Sequence, residues 1–563
     1  MAGAAGSDDG ETGSGRAGAQ PGAEAPEAPK PKTRAKPKPA APKAGQTGAA
    51  KPKPAKPKAK AKAPRGARAK AAAAAAERAR WGWWALALVL GVTALRVGLL
   101  ALDLIPPHFD EGQYWAYGQE LAWGYFSKPP GVGALIRLST ELFGQGGLGL
   151  RLASPLAHGL IGWLLFATAR RIWDGRTGFW AAAAYLAAPG VTVSALIVST
   201  DPPMMAAWAA ALYALVRAGE PGASKLWWAV LGLALGLGGL AKYTAVAFAI
   251  GGLGYGLFSA RGRDLAGVAI AAGVAFLVLL PNILWNAENG FATVSHVAED
   301  ADPGDGYGNP GALAEFLGAQ LGVIGPVIFL GILAAFWNRR QWLDDWGMRL
   351  MAWQTAGLLL PIAVLAFTTR AQPNWAAPAY LAGTVLAVRF LLEAGRRRLL
   401  LGGQLGLGAL AAAAMVGLAA LYGARGPELP RWGDPFKKVR IGPPFCELAL
   451  GAMAEEGAEA LLATDRRRLS ECMVLGGLGW DRIAVWNPDL LPANHHEMVA
   501  TLQPGDDRRL LLAVLNPAAA GAIAARFDEA IEVDAGRFAT HGDRQYSYAL
   551  WVVQGFRGYD TTY

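Results

Sequence analysis

Two adjacent acids, Asp110 and Glu111, sit in the stretch HFDEGQYWAY at residues 108–117, directly after the apolar run WWALALVLGVTALRVGLLAL. Charged groups at membrane depth are costly and by default have a task. A carboxylate at such a point can take a proton from an attacking hydroxyl, hold a divalent cation that neutralises a phosphate, or stabilise a helix N-terminus by its charge. Spacing alone does not choose among the three. Cations stand in comparable positions: Lys128 in SKPPG, Lys242 in LAKYT and Arg370 in TTRAQPNW, with a further acid, Asp201, in the TDPP turn. Singly, each cation reads as a residue snorkelling from a helix end. Together with Asp110 and Asp201 they suit an anionic lipid headgroup, a phosphate or pyrophosphate.

The elements that must hold these residues are apolar helices. The chain has 563 residues, 53% of them hydrophobic, with 73 Gly and 21 Trp, the composition of a polytopic membrane protein with some extramembrane material. A span needs about 20 apolar residues. Candidates fall near 82–104, 149–171, 176–198, 203–218, 226–240, 243–259, 264–284, 315–337, 349–367, 375–393 and 399–422. The basic loops ARRIWDGR, VRAGEPGASK, SARGRD, NRRQW and EAGRRR alternate along this series and are expected on the cytoplasmic side. The opposite face then receives segment 105–148, the TDPP turn, LAKYT, the loop 285–314, TTRAQPNW and everything after about residue 423. Within 105–148, Trp115, Tyr117, Trp123, Tyr125 and Phe126 predict a pair of interfacial amphipathic helices at headgroup level.

The formal charge of +10 does not point to nucleic acid. Residues 1–80 hold 18 Lys and Arg against 6 Asp and Glu, which leaves the rest of the chain close to neutral. That segment, with repeats such as KPKPAKPKAKAKAP, has no Leu, Ile, Val, Phe, Trp or Tyr and is expected to be a disordered cytoplasmic tail. It either grips anionic lipids or merely fixes topology. Residues 423–563 alternate short apolar runs (LLATD, RIAVW, LLLAVLN) with helical stretches, which predicts a small α/β domain outside the membrane. Cys446 and Cys472 both fall in it, as a disulfide or as two free thiols.

The ordered set DEGQYWAYGQELAWGYFSKPP, TDPPMMAAWAAALY, LAKYTA, LLPNILWNAENGF and RAQPNWAAPAY resembles the membrane glycosyltransferases of the protein O-mannosyltransferase superfamily, which includes the aminoarabinose transferases that modify lipid A. The resemblance covers about residues 82–395. It implies a GT-C fold of about eleven transmembrane helices at 81–422, followed by the small periplasmic α/β domain. It further implies inverting transfer of a sugar from a polyprenyl-phosphate donor to a lipid, protein or glycan acceptor at the outer face of the inner membrane. By match, Asp110 is the base or acceptor-orienting acid, accompanied by Glu111. Lys128 binds the donor phosphate, Asp201 is the second acidic position, Lys242 and Arg370 are phosphate partners, and Asn374 and Trp375 line the sugar pocket. One departure concerns metal. Ser127 stands where the lipid A transferases carry a metal-holding Glu, which leaves His296 as the obvious histidine for such a site. A single His without partners is ordinarily no metal site, so a divalent cation stays open and no other cofactor is implied.

A transporter or flippase of lipid-linked substrates is the competing class. Such proteins carry internal repeats and ionisable groups near the midplane. No repeat is evident, and Arg96 and His158 are the notable ionisable residues well inside spans, both compatible with helix packing.

Overall fold

The computed structural model describes residues 65–258, 264–293, 295, 308–395, 398–425 and 428–559. The basic tail through residue 64 and the candidate ligand His296 lie outside the described residues. Helix α1 (Arg65–Ala101) begins within the segment expected to be disordered. The reason is local: KAAAAAAERAR is a run of strong helix formers that extends the apolar helix backwards.

The helices that follow are α2 (Phe109–Gln119), α3 (Gly131–Phe143), α4 (Gly147–Arg151), α5 (Ala153–Ile172), α6 (Gly175–Leu186), α7 (Pro189–Ser194), α8 (Asp201–Ala218), α9 (Leu226–Ala241), α10 (Phe248–Phe258) and α11 (Leu265–Glu288). Beyond residue 308 come α12 (Pro310–Val323), α13 (Pro326–Trp337), α14 (Trp346–Thr368), α15 (Ala379–Glu393) and α16 (Arg398–Arg425). Among the described residues, five helices are long and apolar enough to cross a bilayer: Ala75–Ala101, Gly147–Ile172, Leu265–Glu288, Trp346–Thr368 and Leu401–Arg425. The pair α12 and α13, bent by 118°, makes a sixth if counted as one span. Several of the eleven expected spans are shorter or broken, and proline marks the breaks. The run 176–198 divides before Pro189, and 315–337 bends at Gly325, whose φ of 91° precedes Pro326. The run 243–259 starts as a 3-10 turn, Tyr243–Ala247.

Helix α5 gives the bundle its two ends. Its N-terminus adjoins Arg151, and at its C-terminus Arg171 pairs with Glu220. Twenty residues of helix span roughly 30 Å, about the thickness of the hydrocarbon core. The basic loops gather at the Arg171 end: Lys225 pairs with Asp264, Trp173 Nε1 donates to Asp345 at 2.7 Å, and Arg389 approaches Asp174 at 3.9 Å.

The C-terminal part is α/β, as expected. Strands β1 (Ala460–Ala463), β2 (Ile483–Val485), β3 (Leu510–Val514), β4 (Phe527–His541) and β5 (Arg544–Phe556) form one sheet in the order β2-β1-β3-β5-β4. β1 runs parallel to β2 and β3, while β5 is antiparallel to β3 and β4. Helices α17 (Gly442–Glu455) and α18 (Arg466–Gly476) pack beside it, joined by a Cys446–Cys472 disulfide.

This domain covers the segment that carries the first acids. A Cβ at Gly112 would lie 2.3 Å from the Ser470 carbonyl oxygen, so only glycine lets α2 and α18 approach this closely. Arg466 Nη1 donates to Gln113 Oε1 at 2.7 Å, and Trp480 Nε1 donates to the Ala116 carbonyl at 3.0 Å. Tyr117 and Tyr125 stack at 4.1 Å, and the His495 ring meets both edge-on at 5.1 Å. The two expected helices, α2 and α3, therefore exist, but α2 is no surface helix. Its residues from Glu111 to Gly118 are buried, and Trp115, Tyr117 and Tyr125 are core side chains under the C-terminal domain rather than headgroup anchors. Trp123 remains exposed.

Candidate active site

The two acids at the start of α2 have separate tasks. His108 is the N-cap: its Nδ1 accepts from the Asp110 backbone N–H at 3.3 Å, while the Glu111 carboxylate accepts from the His108 N–H at 2.9 Å. Glu111 is buried against Arg151, whose Nε and Nη2 lie 2.8 and 2.7 Å from its two oxygens. The Val198 N–H supplies one more bond at 2.8 Å. Burial alone would raise this carboxyl, but the Arg151 charge and these hydrogen bonds hold it below its ordinary value. Its oxygens are engaged on all sides, and Glu111 does not line the cavity described next. Asp110, one residue earlier, is partly exposed and does line it. Glu111 thus makes the capping contacts, while Asp110, also in the first turn of α2, faces the cavity with its Oδ2 3.4 Å from His108 Nδ1.

The cavity has a volume of about 1030 Å³. Asp110, Lys128, Asp201, Lys242, Asn374 and Trp375 all line it, so six of the residues singled out in the sequence converge. Each arrives on a rigid break in the backbone. Lys128 sits in a turn closed by Tyr125 N–H to Lys128 O at 3.0 Å, just ahead of Pro129 and Pro130. Asp201 opens α8, where Pro202 and Pro203 fix the first turn. Lys242 occupies the extended residue between α9 and the 3-10 turn. Asn374 and Trp375 belong to the 3-10 turn Pro373–Ala376. Asp201 ties these together: one oxygen meets Lys242 Nζ at 2.6 Å and the other accepts from Asn374 Nδ2 at 2.9 Å.

Arg370 is not brought in; it is exposed and absent from the cavity wall. No group of three or more metal-type side chains occurs among the described residues. Sequence reasoning missed several residues. Tyr114 lines the cavity, and burial together with the nearby Asp110 charge pushes its phenol well above the ordinary value. Tyr243 lines it too and donates to Asn282 at 2.8 Å, while Asn282 holds the Trp123 carbonyl at 2.6 Å. The LLPNILWNAENGF motif thereby anchors two cavity loops. His158, Tyr185 and Ser194 line a further part of the wall.

Residues 127–285, from the Lys128 turn through Asp201 and Lys242, match the family described as dolichyl-phosphate-mannose-protein mannosyltransferase. The chain aligns with ArnT of Cupriavidus metallidurans bound to undecaprenyl phosphate, with a TM-score of 0.57 at 18% identity, over 83% of this chain and 98% of that one. The fold is that of the GT-C membrane glycosyltransferases. Among curated proteins, the lipid A galacturonosyltransferase RgtD of Rhizobium johnstonii is 36% identical over 312 residues, 54% of this chain and 65% of its own length. An undecaprenyl phosphate-alpha-4-amino-4-deoxy-L-arabinose arabinosyl transferase of Pseudomonas aeruginosa is 33% identical over 191 residues, 32% of this chain and 33% of its own. The alignments thus span less than two thirds of either relative. The resemblance read from the five motifs is borne out at the level of family match and GT-C fold.

The Glu111–Arg151 pair yields a prediction. Glu111→Gln leaves a guanidinium buried and unpaired, at a cost of about 3–5 kcal/mol, and the thermal midpoint in detergent should drop accordingly. Because the folded carboxyl lies below its ordinary value, the pair's contribution is present at neutral pH and disappears as pH falls through the folded value. An unchanged midpoint with lost activity would instead give Glu111 a chemical role.

Proposed function

We propose that this chain is a membrane glycosyltransferase that passes a sugar from a polyprenyl-phosphate donor to a hydroxyl or phosphate acceptor of lipid A or another envelope component. The observation that carries this reading is the convergence of a partly exposed carboxylate, Asp110, with Lys128 and Lys242 in one cavity whose wall also includes the apolar side chains of Met205, Val323, Ile324, Ile362 and Leu365. Breaking a sugar–phosphate bond requires the departing phosphate charge to be met, and fixed cations in a low-dielectric cleft do so better than water. The attacking hydroxyl must lose a proton, which the Asp110 carboxylate accepts. Asp201 orients Lys242 and Asn374 rather than acting on the substrate directly. The donor's long tail stays in the bilayer, each buried CH₂ contributing about 0.8 kcal/mol. That a similar fold binds undecaprenyl phosphate, and that one relative is named for transfer of galacturonic acid to lipid A, support this choice of donor and acceptor.

The site faces outward in this reading. The tail at residues 1–80 lies in the cytoplasm, residues 81–422 form the membrane-embedded transferase of about eleven membrane-inserted segments, and residues 423–563 form a periplasmic domain. Clustering of the basic loops at the end of α5 opposite the cavity mouth supports this orientation, and so does a disulfide in the C-terminal domain.

Transfer from a polyprenyl-phosphate sugar by the purified protein tests the chemistry. Asp110→Asn should lower turnover by about 10²-fold or more with an unchanged thermal midpoint, and Lys128→Ala should weaken donor handling far more than Lys225→Ala. Near-normal turnover in Asp110→Asn would remove Asp110 as the base. For orientation, a membrane-impermeant thiol reagent added to intact spheroplasts should label a cysteine introduced at Asp507 and miss one at Arg340. The reverse pattern would overturn the outward-facing site.

A further inference from the structure

The turn that carries Lys128 is held from the C-terminal domain. Tyr125 and Lys128 exchange backbone hydrogen bonds, Tyr125 N–H to Lys128 O at 3.0 Å and Lys128 N–H to Tyr125 O at 3.4 Å, so residues 125–128 form a closed reverse turn. The N–H groups of its central residues, Phe126 and Ser127, find no acceptor inside such a turn, and a partly buried N–H needs one from elsewhere. For Phe126 that acceptor is His495 Nδ1, at 3.4 Å and 369 residues along the chain. On the far side of the turn Pro129 and Pro130 follow, both buried, and a residue before proline has little conformational choice. Lys128 therefore goes where the turn goes.

His495 is itself firmly placed. It opens a short helix, His495–Ala500, whose N-cap Asn494 accepts from the Glu497 N–H at 3.2 Å. The next residue, His496, is buried with its Nε2 3.2 Å from Ser470 Oγ on α18, and the Trp480 ring stands edge-on to His495 at 5.3 Å. Burial brings the His495 imidazole down to about 4, so the ring is uncharged at neutral pH. With Nδ1 accepting, its proton sits on Nε2. A second string runs beside the first. Arg466 donates to Gln113, Gln113 Nε2 donates to the Tyr117 hydroxyl, and that hydroxyl meets the Ser127 side chain. Both residues that precede Lys128 are thus tied to the C-terminal domain, and Ser127 and Lys128 line the cavity together.

We propose that His495 is a positioning residue: by holding the Phe126 N–H it fixes the turn that presents Lys128 to the cavity, with Arg466 steadying Ser127 through Gln113 and Tyr117. The task of Lys128, meeting the donor phosphate, rests on the proposed function; the holding of the turn does not. The competing role for His495 is packing alone, since its ring meets Tyr117 and Tyr125 edge-on. The two roles need different atoms. Positioning requires the acceptor nitrogen, and packing requires the ring.

Two substitutions separate them in the full-length protein in nanodiscs. His495→Phe keeps the ring and removes the acceptor, whereas His495→Asn loses the ring and keeps an oxygen at the place of Nδ1. Deuterium exchange at the Phe126 amide, read by mass spectrometry without ligand, should be about fivefold faster in His495→Phe, the scale of one hydrogen bond, and close to that of the unsubstituted protein in His495→Asn. Affinity for polyprenyl phosphate should follow, about three- to tenfold weaker in His495→Phe and largely kept in His495→Asn. If His495→Phe fails to fold, His495→Ala set against His495→Asn makes the same comparison, because neither has a ring and only Asn has an acceptor. Unchanged Phe126 exchange in His495→Phe, or a greater loss in His495→Asn than in His495→Phe, would overturn the proposal in favour of packing. So would faster exchange with unaltered polyprenyl phosphate affinity, where Lys128→Ala weakens that affinity. Should Lys128→Ala bind polyprenyl phosphate as well as the unsubstituted protein, the donor reading fails, and the exchange rates alone decide whether His495 holds the turn.

Discussion

The buried ion pair between Glu111 and Arg151 organises everything around the cavity mouth. Arg151 also donates to the carbonyls of Ile105 and Pro106 at 2.8 and 3.0 Å, and Glu111 accepts from the backbone of residues 108 and 198. One pair of charges thus joins the exit of α1, the start of α2, the N-terminal end of α5 and the approach to α8. A buried pair adds little to stability over an apolar packing of the same volume, but it is unforgiving of any other arrangement. Its consequence is orientation: with Glu111 turned inward, the neighbouring Asp110 lies on the cavity side of the helix start.

The remaining cavity groups follow the same logic of pairing at a backbone break. Asp201 neutralises Lys242 and positions Asn374, so that its carboxylate is paired on both oxygens. The C-terminal domain supplies the outer constraint. Its α18 rests on Gly112 and its His495 closes the Tyr117–Tyr125 stack, so the domain grips the helix that bears Asp110. A domain fastened to the start of α2 in this way restricts how far that helix can move relative to the cavity.

Much of the site was legible in the sequence because its residues sit beside strong punctuation. Lys128 before Pro129, Asp201 before Pro202, Lys242 at the end of a Gly-rich apolar run and Asn374 after Pro373 each mark a helix terminus, and helix termini of one end meet at one cavity. Glu111 and Asp110 could not be told apart, because which of two adjacent acids turns inward depends on Arg151, forty residues away and unremarkable within LGLRLA. Arg370 was drawn in by its neighbours in TTRAQPNW, yet the turn points it to the exterior. The helix breaks did not show in the sequence because hydropathy averages across the prolines that divide the helices at residues 189 and 326. The long β4–β5 hairpin escaped notice since β4 is exposed along most of its length and carries no apolar run to mark it.

The proposed transfer requires a lipid-linked phosphate to arrive in this cavity. The most direct measurement is an experimental map of the full-length protein in nanodiscs with polyprenyl phosphate bound. Phosphate density is expected in hydrogen-bonding reach of Lys128 or Lys242, with the tail leaving along the apolar wall near Ile324 and Leu365. A phosphate found outside this cavity, or a cavity filled by the hydrocarbon tail with the phosphate at the Arg171 end of the bundle, would contradict it.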